Sequence, residues 1–175
     1  IERSADVGVL PLDVGINFGV TGPSLRASGT NFDLRKDEPY SVYDKFDFNI
    51  PVGEGLMGSV GDCWDRYYVR VLEMKESVKI VRQALDSLPK GDVHEVLPKK
   101  IRPNKGEVYS RYESARGDVG FYIRSDGKNI PTRVKMRSPA YCNLSVLNEI
   151  SSGWMISDII AILGSLDIVL GEIDR

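Results

Sequence analysis

Residues 62–88 read DCWDRYYVRVLEMKESVKIVRQALDSL. Apolar side chains fall at Trp64, Tyr67, Val71, Met74, Val78, Val81, Leu85 and Leu88, at steps that alternate between three and four almost throughout. That spacing draws one stripe along an α-helix. Asp62 or Ser59 can cap the start, and Pro89 with Gly91 ends it. A helix this long with one apolar stripe belongs in a bundle, because its stability comes from packing that stripe on neighbouring helices.

Toward the N-terminus, Pro11 to Phe18 suits one short helix with proline at an early position. Gly22-Pro23 and Gly29 bracket Ser24 to Ser28, which reads as a loop or a single helical turn. Phe46, Phe48, Ile50 and Val52 alternate with Asp47, Asn49 and Pro51, the pattern of a short half-buried strand at a sheet edge. Toward the C-terminus, Asp92 to Lys105 is charged and rich in proline, an irregular connection. Strands are predicted over Glu107–Glu113, Asp118–Ser125 and Thr132–Arg137, with Arg116-Gly117 turning the first hairpin and Asp126 to Asn129 the second. Helices near Asn143–Ile150 and Met155–Leu163 follow. The expected fold class is α+β, a long bundle helix with a small antiparallel sheet.

A chain of 175 residues can bury one good core. It is 42% hydrophobic and 27% charged with net charge −2, an ordinary soluble globular composition without the basic excess of a nucleic-acid binder. Its apolar runs fall short of the roughly 18 residues a membrane helix needs. The best of them, Ile156 to Leu163, is interrupted by Ser157 and Asp158. No signal peptide is visible, and the first residue is Ile1 rather than Met, so a fragment or a processed chain is expected. Cys63 and Cys142 make neither a disulfide framework nor a metal cluster by count, and both read as reduced packing residues.

Three local patterns carry little chemistry. Gly53-Glu54-Gly55-Leu56-Met57-Gly58 matches G-x-G-x-x-G between a strand-like run and a helix. Pro51 sits inside that strand, the helix begins several residues late, and Arg82 and Gln83 stand where a ribose-binding acid is needed, so a flexible glycine loop is the reading. His94 is the only histidine, with no second metal ligand or triad partner in its stretch. Asn143-Leu144-Ser145 matches a glycosylation sequon but lacks a secretory context. Asp33-Leu34-Arg35-Lys36 is a further charge cluster. Asp62, Arg66 and Arg70 recur every four residues on the long helix, and from spacing alone they make a solvated or salt-bridged face.

Linked motifs give these clusters more meaning. Gly19-Val20-Thr21-Gly22-Pro23-Ser24-Leu25-Arg26-Ala27-Ser28-Gly29 is followed by Phe32-Asp33-Leu34-Arg35-Lys36, Pro39-Tyr40 with Tyr43, Ile50-Pro51-Val52-Gly53, and Gly61-Asp62 with Asp65-Arg66-Tyr67. Ser125-Asp126-Gly127, Arg133 to Pro139, Asp158 to Gly164 and the ending Gly164 to Arg175 complete the series. In this order they resemble the D subunit of respiratory complex I (NADH-quinone oxidoreductase), which shares ancestry with the large subunit of nickel–iron hydrogenases. The hydrogenase tail reads roughly Asp-Pro-Cys-x-x-Cys. Laid on it, Asp167 remains, Ile168 replaces the proline, and Val169 and Glu172 replace the two metal-binding cysteines. Two departures stand out. Glu54 to Val60 are extra residues, and the connection from Pro89 to Glu107 is short, a form that resembles the archaeal branch oxidising a reduced deazaflavin.

The resemblance implies a hydrogenase large-subunit-like fold, of which residues 1–175 are the C-terminal part. It implies a quinone-site subunit on the cytoplasmic side of the membrane, peripheral, fed from NADH or reduced deazaflavin. The metal site is implied to be lost and no cofactor to be bound by the chain itself. Quinone is the implied substrate, and the iron–sulfur cluster sits on a neighbouring subunit. Implied partners are that cluster subunit, a membrane-arm subunit and a companion peripheral-arm subunit; no nucleic acid is implied. Asp167 and Glu172 are the implied proton carriers. Ser24, Arg26, Val169 and Leu170 are the implied pocket walls, and Arg35, Asp62, Arg66 and Arg175 structural or cluster-facing residues. An active hydrogenase, or a non-catalytic scaffold on the same fold, is the alternative; the missing cysteines argue against the first, because a soft-metal site needs thiolates.

Overall fold

A computed structural model describes residues 2–92, 94 and 96–174 of the chain. Helices α1 (Leu12–Asn17), α2 (Pro23–Arg26) and α3 (Leu34–Asp37) lead into a 3₁₀ turn at Tyr43–Lys45 and the long helix α4 (Cys63–Asp86). Strands β1 (Gly106–Ser114), β2 (Gly117–Ser125) and β3 (Arg133–Arg137) form an antiparallel meander in the order β1-β2-β3. Helices α5 (Pro139–Ser145), α6 (Leu147–Ser151), α7 (Ile156–Leu166) and α8 (Leu170–Ile173) complete it. The α+β class, the long helix and the small sheet are as the sequence predicts.

Asp62 caps α4: its Oδ1 accepts from the Asp65 amide at 2.8 Å and its Oδ2 from the Asp6 amide at 2.8 Å. The second bond ties the N-terminal segment to the helix start. The apolar core gathers around this end of α4, with Val7, Leu10, Val20, Leu25, Cys63, Val146, Ile150, Ile162 and Leu166 all buried. Helices α2 and α7 pack on α4 there.

The apolar stripe that the periodicity marks on α4 is the open side of the helix, the state expected of a bundle helix without its neighbouring helices. Tyr67, Met74, Val78, Val81, Leu85 and Leu88 are exposed, and Trp64 and Val71 are half-buried. Cys63, Asp65, Arg66 and Val69 are the buried ones. Of the two readings of the charged face at Asp62, Arg66 and Arg70, the solvated one is corrected, since Asp62 and Arg66 are buried, and the salt-bridged one holds only for Arg70, which faces Asp167. The physical reason is that hydroxyl and carbonyl acceptors from α2, α4, α7 and the segments around them take up every nitrogen of Arg66 and both Nη atoms of Arg70, while the buried Arg70 Nε is left with only the Asp167 carboxylate nearby.

The expected edge strand at Phe46–Val52 is also absent. The segment is extended and Phe48 is buried, but its amides turn to α4 side chains: Asp47 N donates to Gln83 Oε1 at 2.8 Å and Asn49 N to Glu76 Oε2 at 2.9 Å. Alternation marks the buried Phe48 correctly, while the bonding partner is a helix face instead of a strand. In the C-terminal third, helix α5 starts at Pro139, four residues before the expected Asn143. There Ser138 Oγ accepts from the Tyr141 amide and proline takes the first turn.

Candidate functional site

Helix α2 delivers Arg26 to the interior, where its side chain is 1% exposed. Arg26 Nε donates to Glu73 Oε1 of α4 at 2.6 Å. Its Nη1 donates to Glu113 Oε1 of β1 at 2.8 Å and to the Phe32 carbonyl at 3.0 Å, and lies 3.4 Å from Asp33 Oδ2. Asp33 also accepts from Arg35 Nη2 at 2.5 Å. Burial alone would pull the Arg26 guanidinium down, but Glu73, Glu113 and Asp33 outweigh it and hold it above its ordinary range. Burial pushes the Glu113 carboxyl up, and neighbouring Asp33 adds to that against the pull of Arg26. Asp33 moves the other way: burial is outweighed by the Arg35 hydrogen bond and the two guanidinium charges, which hold it low.

Arg66 is satisfied without an acid within ion-pair distance among the described residues. Its Nη1 donates to the Gly61 carbonyl at 2.6 Å, Nη2 to the Gly8 carbonyl at 2.8 Å and Cys63 Sγ at 3.2 Å, and Nε to Ser165 Oγ at 2.8 Å. Burial lowers its pKa from the ordinary range. One turn on, Arg70 Nη1 donates to the Arg66 carbonyl at 2.7 Å and Nη2 to Ser24 Oγ at 3.1 Å. Its Nε stands 3.7 Å from Asp167 Oδ2, and burial draws the group down to about 10.

Asp167 is the meeting point of three elements. It ends α7 in the left-handed conformation, φ 54°, which a non-glycine residue adopts at a cost of about 1–2 kcal/mol. Arg116, at the β1–β2 turn, donates from Nε to the Asp167 carbonyl at 2.8 Å and from Nη2 to Asp167 Oδ1 at 3.3 Å. Ser24 Oγ reaches the Leu166 carbonyl at 3.5 Å. Asp167 opens on a cleft of about 560 Å³ whose lining includes Tyr43, Tyr67, Met74, Arg70, Glu73 and Glu113. Its lining sets aromatic and apolar surface beside six charged side chains, more ionic than the usual small-molecule site.

The sequence-predicted residues divide between places. Arg26, Arg35 and Asp167 line this cleft, and buried Ser24 stands behind it on Arg70. Glu172 lies elsewhere: its Oε2 accepts from Ser138 Oγ at 3.1 Å and the Ala140 amide at 3.3 Å, at the start of α5 beside a second cleft of about 570 Å³ walled by Tyr109, Tyr122, Lys135 and Tyr141. The two acids named as implied proton carriers line different clefts. Val169 is half-buried, Leu170 is 74% exposed, and neither lines either cleft. Asp62 and Arg66 are interior residues of the α4 start, and Arg175 lies outside the described residues. Sequence reasoning misses Arg116, Glu73 and Glu113. Arg116 carries the single signal that it sits in a predicted hairpin turn, and nothing local marks the two glutamates.

The chain as a whole matches a known family. The model for the 49 Kd subunit of respiratory-chain NADH dehydrogenase covers residues 1–105 and 94–175. The chain belongs to that family. It is 55% identical over its full length to the D subunit, form 1, of the NADH-quinone oxidoreductase of Cytophaga hutchinsonii. It is 51% identical to the D subunit of Chlorobaculum tepidum and 49% identical to the D subunit, form 2, of Anaeromyxobacter dehalogenans. The chain spans 47%, 45% and 46% of those three proteins, a little under half of each. Among the described residues, no helix is long and apolar enough to cross a membrane.

Proposed function

We propose that this chain forms part of the quinone-reducing chamber of a complex I-type NADH–quinone oxidoreductase, on a hydrogenase large-subunit-like fold. The observation that carries the reading is the junction of the α2 loop with the tail: Ser24, Arg70 and Asp167 converge beside one cleft within a chain that matches the 49 Kd family from end to end. Electrons come from an iron–sulfur cluster held by a partner subunit. The relatives' names give NADH and quinone, which favours NADH over a deazaflavin as the ultimate donor. The partners are the cluster subunit, a membrane-arm subunit and a companion peripheral-arm subunit, at the cytoplasmic side of the membrane.

Quinone becomes quinol by taking up two electrons and two protons. Asp167 is the residue we assign to proton delivery, because its carboxylate is 41% exposed on the cleft while its backbone is fixed. Tyr67 and Met74 supply apolar surface for a ring. Val169, at the position of a lost metal-binding cysteine, shapes the tail beyond Asp167. Glu172 holds the start of α5 and is assigned a second, remote proton role only through the tail it shares.

The test uses the assembled complex, NADH and a short-tail quinone. Asp167→Asn keeps shape and removes the titrating group, so turnover falls while quinone KM stays nearly constant. Val169→Met raises the inhibitor concentration for half inhibition. Wild-type turnover and inhibitor response in both variants, at normal complex levels on a native gel, would falsify the reading.

A further inference from the structure

The β1–β2 hairpin tip does more than close the sheet. Its Arg116 makes a two-point contact with one residue, Nε to the Asp167 carbonyl and Nη2 to the Asp167 carboxylate. A planar guanidinium can span two acceptors in this way, and a point charge cannot. The tip is itself held. The Arg116 carbonyl accepts from Asn143 Nδ2 at 3.2 Å, and Asn143 Oδ1 accepts from the Thr21 amide at 3.2 Å. Asp118 N donates to Thr21 Oγ1 at 3.0 Å. Gly22, at φ 70°, comes so close that a Cβ there would lie 2.5 Å from the Arg116 carbonyl oxygen. The Arg116 backbone is thus anchored to the α2 loop and α5 while its side chain reaches across to the α7 terminus.

The contact answers a specific need. Asp167 holds a left-handed backbone without being glycine, and its side chain leaves the helix toward the cleft. The Asp167 amide donates to the Gly164 carbonyl at 3.2 Å, and Arg70, at 3.7 Å, faces the carboxylate alone. Arg116 bonds to both parts of the residue.

We propose that Arg116 is a positioning residue for the cleft, acting through Asp167 to hold its carboxylate where an electron-accepting ring takes up a proton. The inference rests on the proton role of Asp167 proposed above. Arg116 itself stands outside the cleft lining, so it acts without touching the substrate.

The experiment compares Arg116→Met, Arg116→Lys, Asp167→Asn and the double variant Arg116→Met/Asp167→Asn in the assembled complex, with NADH and a short-tail quinone and with complex abundance read on a native gel. Arg116→Met should lower kcat about tenfold with KM changed less than about twofold, as expected when an interaction matters in the transition state rather than in binding. Arg116→Lys, which keeps the charge but only one point donor, should fall between it and the parent. The double variant should be no slower than Asp167→Asn alone, because the two residues act as one unit. If Arg116→Met does not assemble, Arg116→Lys combined with Asp167→Asn carries the same comparison. Losses that multiply in the double variant, or full turnover in both Arg116 variants beside a slow Asp167→Asn, overturn the inference and leave the proton role of Asp167 standing. Full turnover in Asp167→Asn overturns that role, and the inference with it.

Discussion

Arg26 and Glu113, 87 residues apart in sequence, meet at 2.8 Å in an interior that also holds Glu73, Asp33 and Arg35. The pair joins α2 to the sheet, and Glu73 joins both to α4. Removing one partner of a buried pair strands the rest, at a cost of about 3–5 kcal/mol. Arg26 serves three carboxylates, so Arg26→Met should reach that range in chemical unfolding. Glu113→Gln keeps the shape and a hydrogen-bonding oxygen, and it leaves Glu73 and Asp33 as the carboxylates of Arg26. Its cost should stay near about 1 kcal/mol. Equal losses for the two variants would contradict the asymmetry.

Asp33 sets an acid limit on the same network. Its folded-state pKa lies below the unfolded value of 3.8, so it contributes stability that is fully present above that value and is lost as pH falls through the folded pKa. Asp33→Asn should therefore be less stable than the parent at pH 7, by about 3–5 kcal/mol at most. The gap should narrow steadily below about pH 4 as the parent loses its own ionised Asp33. Urea midpoints at several pH values measure it, and a gap that stays constant from neutral pH down to about pH 2 would place the stabilisation in something other than this carboxylate.

Two glycines should respond oppositely to alanine. At Gly22 the new methyl meets backbone on the hairpin tip, Arg116 O at 2.5 Å and Gly117 Cα at 2.6 Å, and φ is 70°. Neither neighbour can move alone, so Gly22→Ala should cost more than about 3 kcal/mol. Gly164 sits inside α7 with nothing within 4 Å of a Cβ. Gly164→Ala should raise stability by about 0.5–1 kcal/mol through helix propensity. Thermal unfolding of both variants against the parent checks the pair of signs.

Local chemistry is legible in the sequence and partnership is not. Three strands and both hairpin turns can be read because runs rich in β-branched and aromatic residues flank the turns at Arg116-Gly117 and Asp126 to Asn129, and the pairing follows those turns. The long helix can be read from its spacing, but the spacing does not say which side meets the rest of the chain. Arg66 illustrates the gap: its four acceptors come from Gly8, Gly61, Cys63 and Ser165, and only Gly61 and Cys63 are in sight along the helix start. The site shows the same limit. Asp167 is found from its motif, whereas Arg116, 51 residues away, is tied to it only by the fold. Asp167 and Glu172 face different clefts because the tail from one to the other includes a left-handed turn and the start of the short helix α8, which the motif does not reveal.

The stripe of α4 faces solvent in this chain: Met74 is 60% exposed, Val78 52% and Val81 56%, so these side chains lose little water contact on folding. Polar replacements there should leave unfolding free energy within about 0.5 kcal/mol of the parent. The same residues form a continuous apolar face, and such faces drive association in water. The isolated chain should therefore associate with rising concentration in sedimentation velocity, and Met74→Gln/Val81→Gln should stay monomeric over the same range. A parent chain that remains monomeric at high concentration, or a double variant that associates equally well, would show that this face does not govern self-association. A double variant that unfolds far more easily than its parent would instead show that the stripe supports the fold of the chain itself, against its exposure.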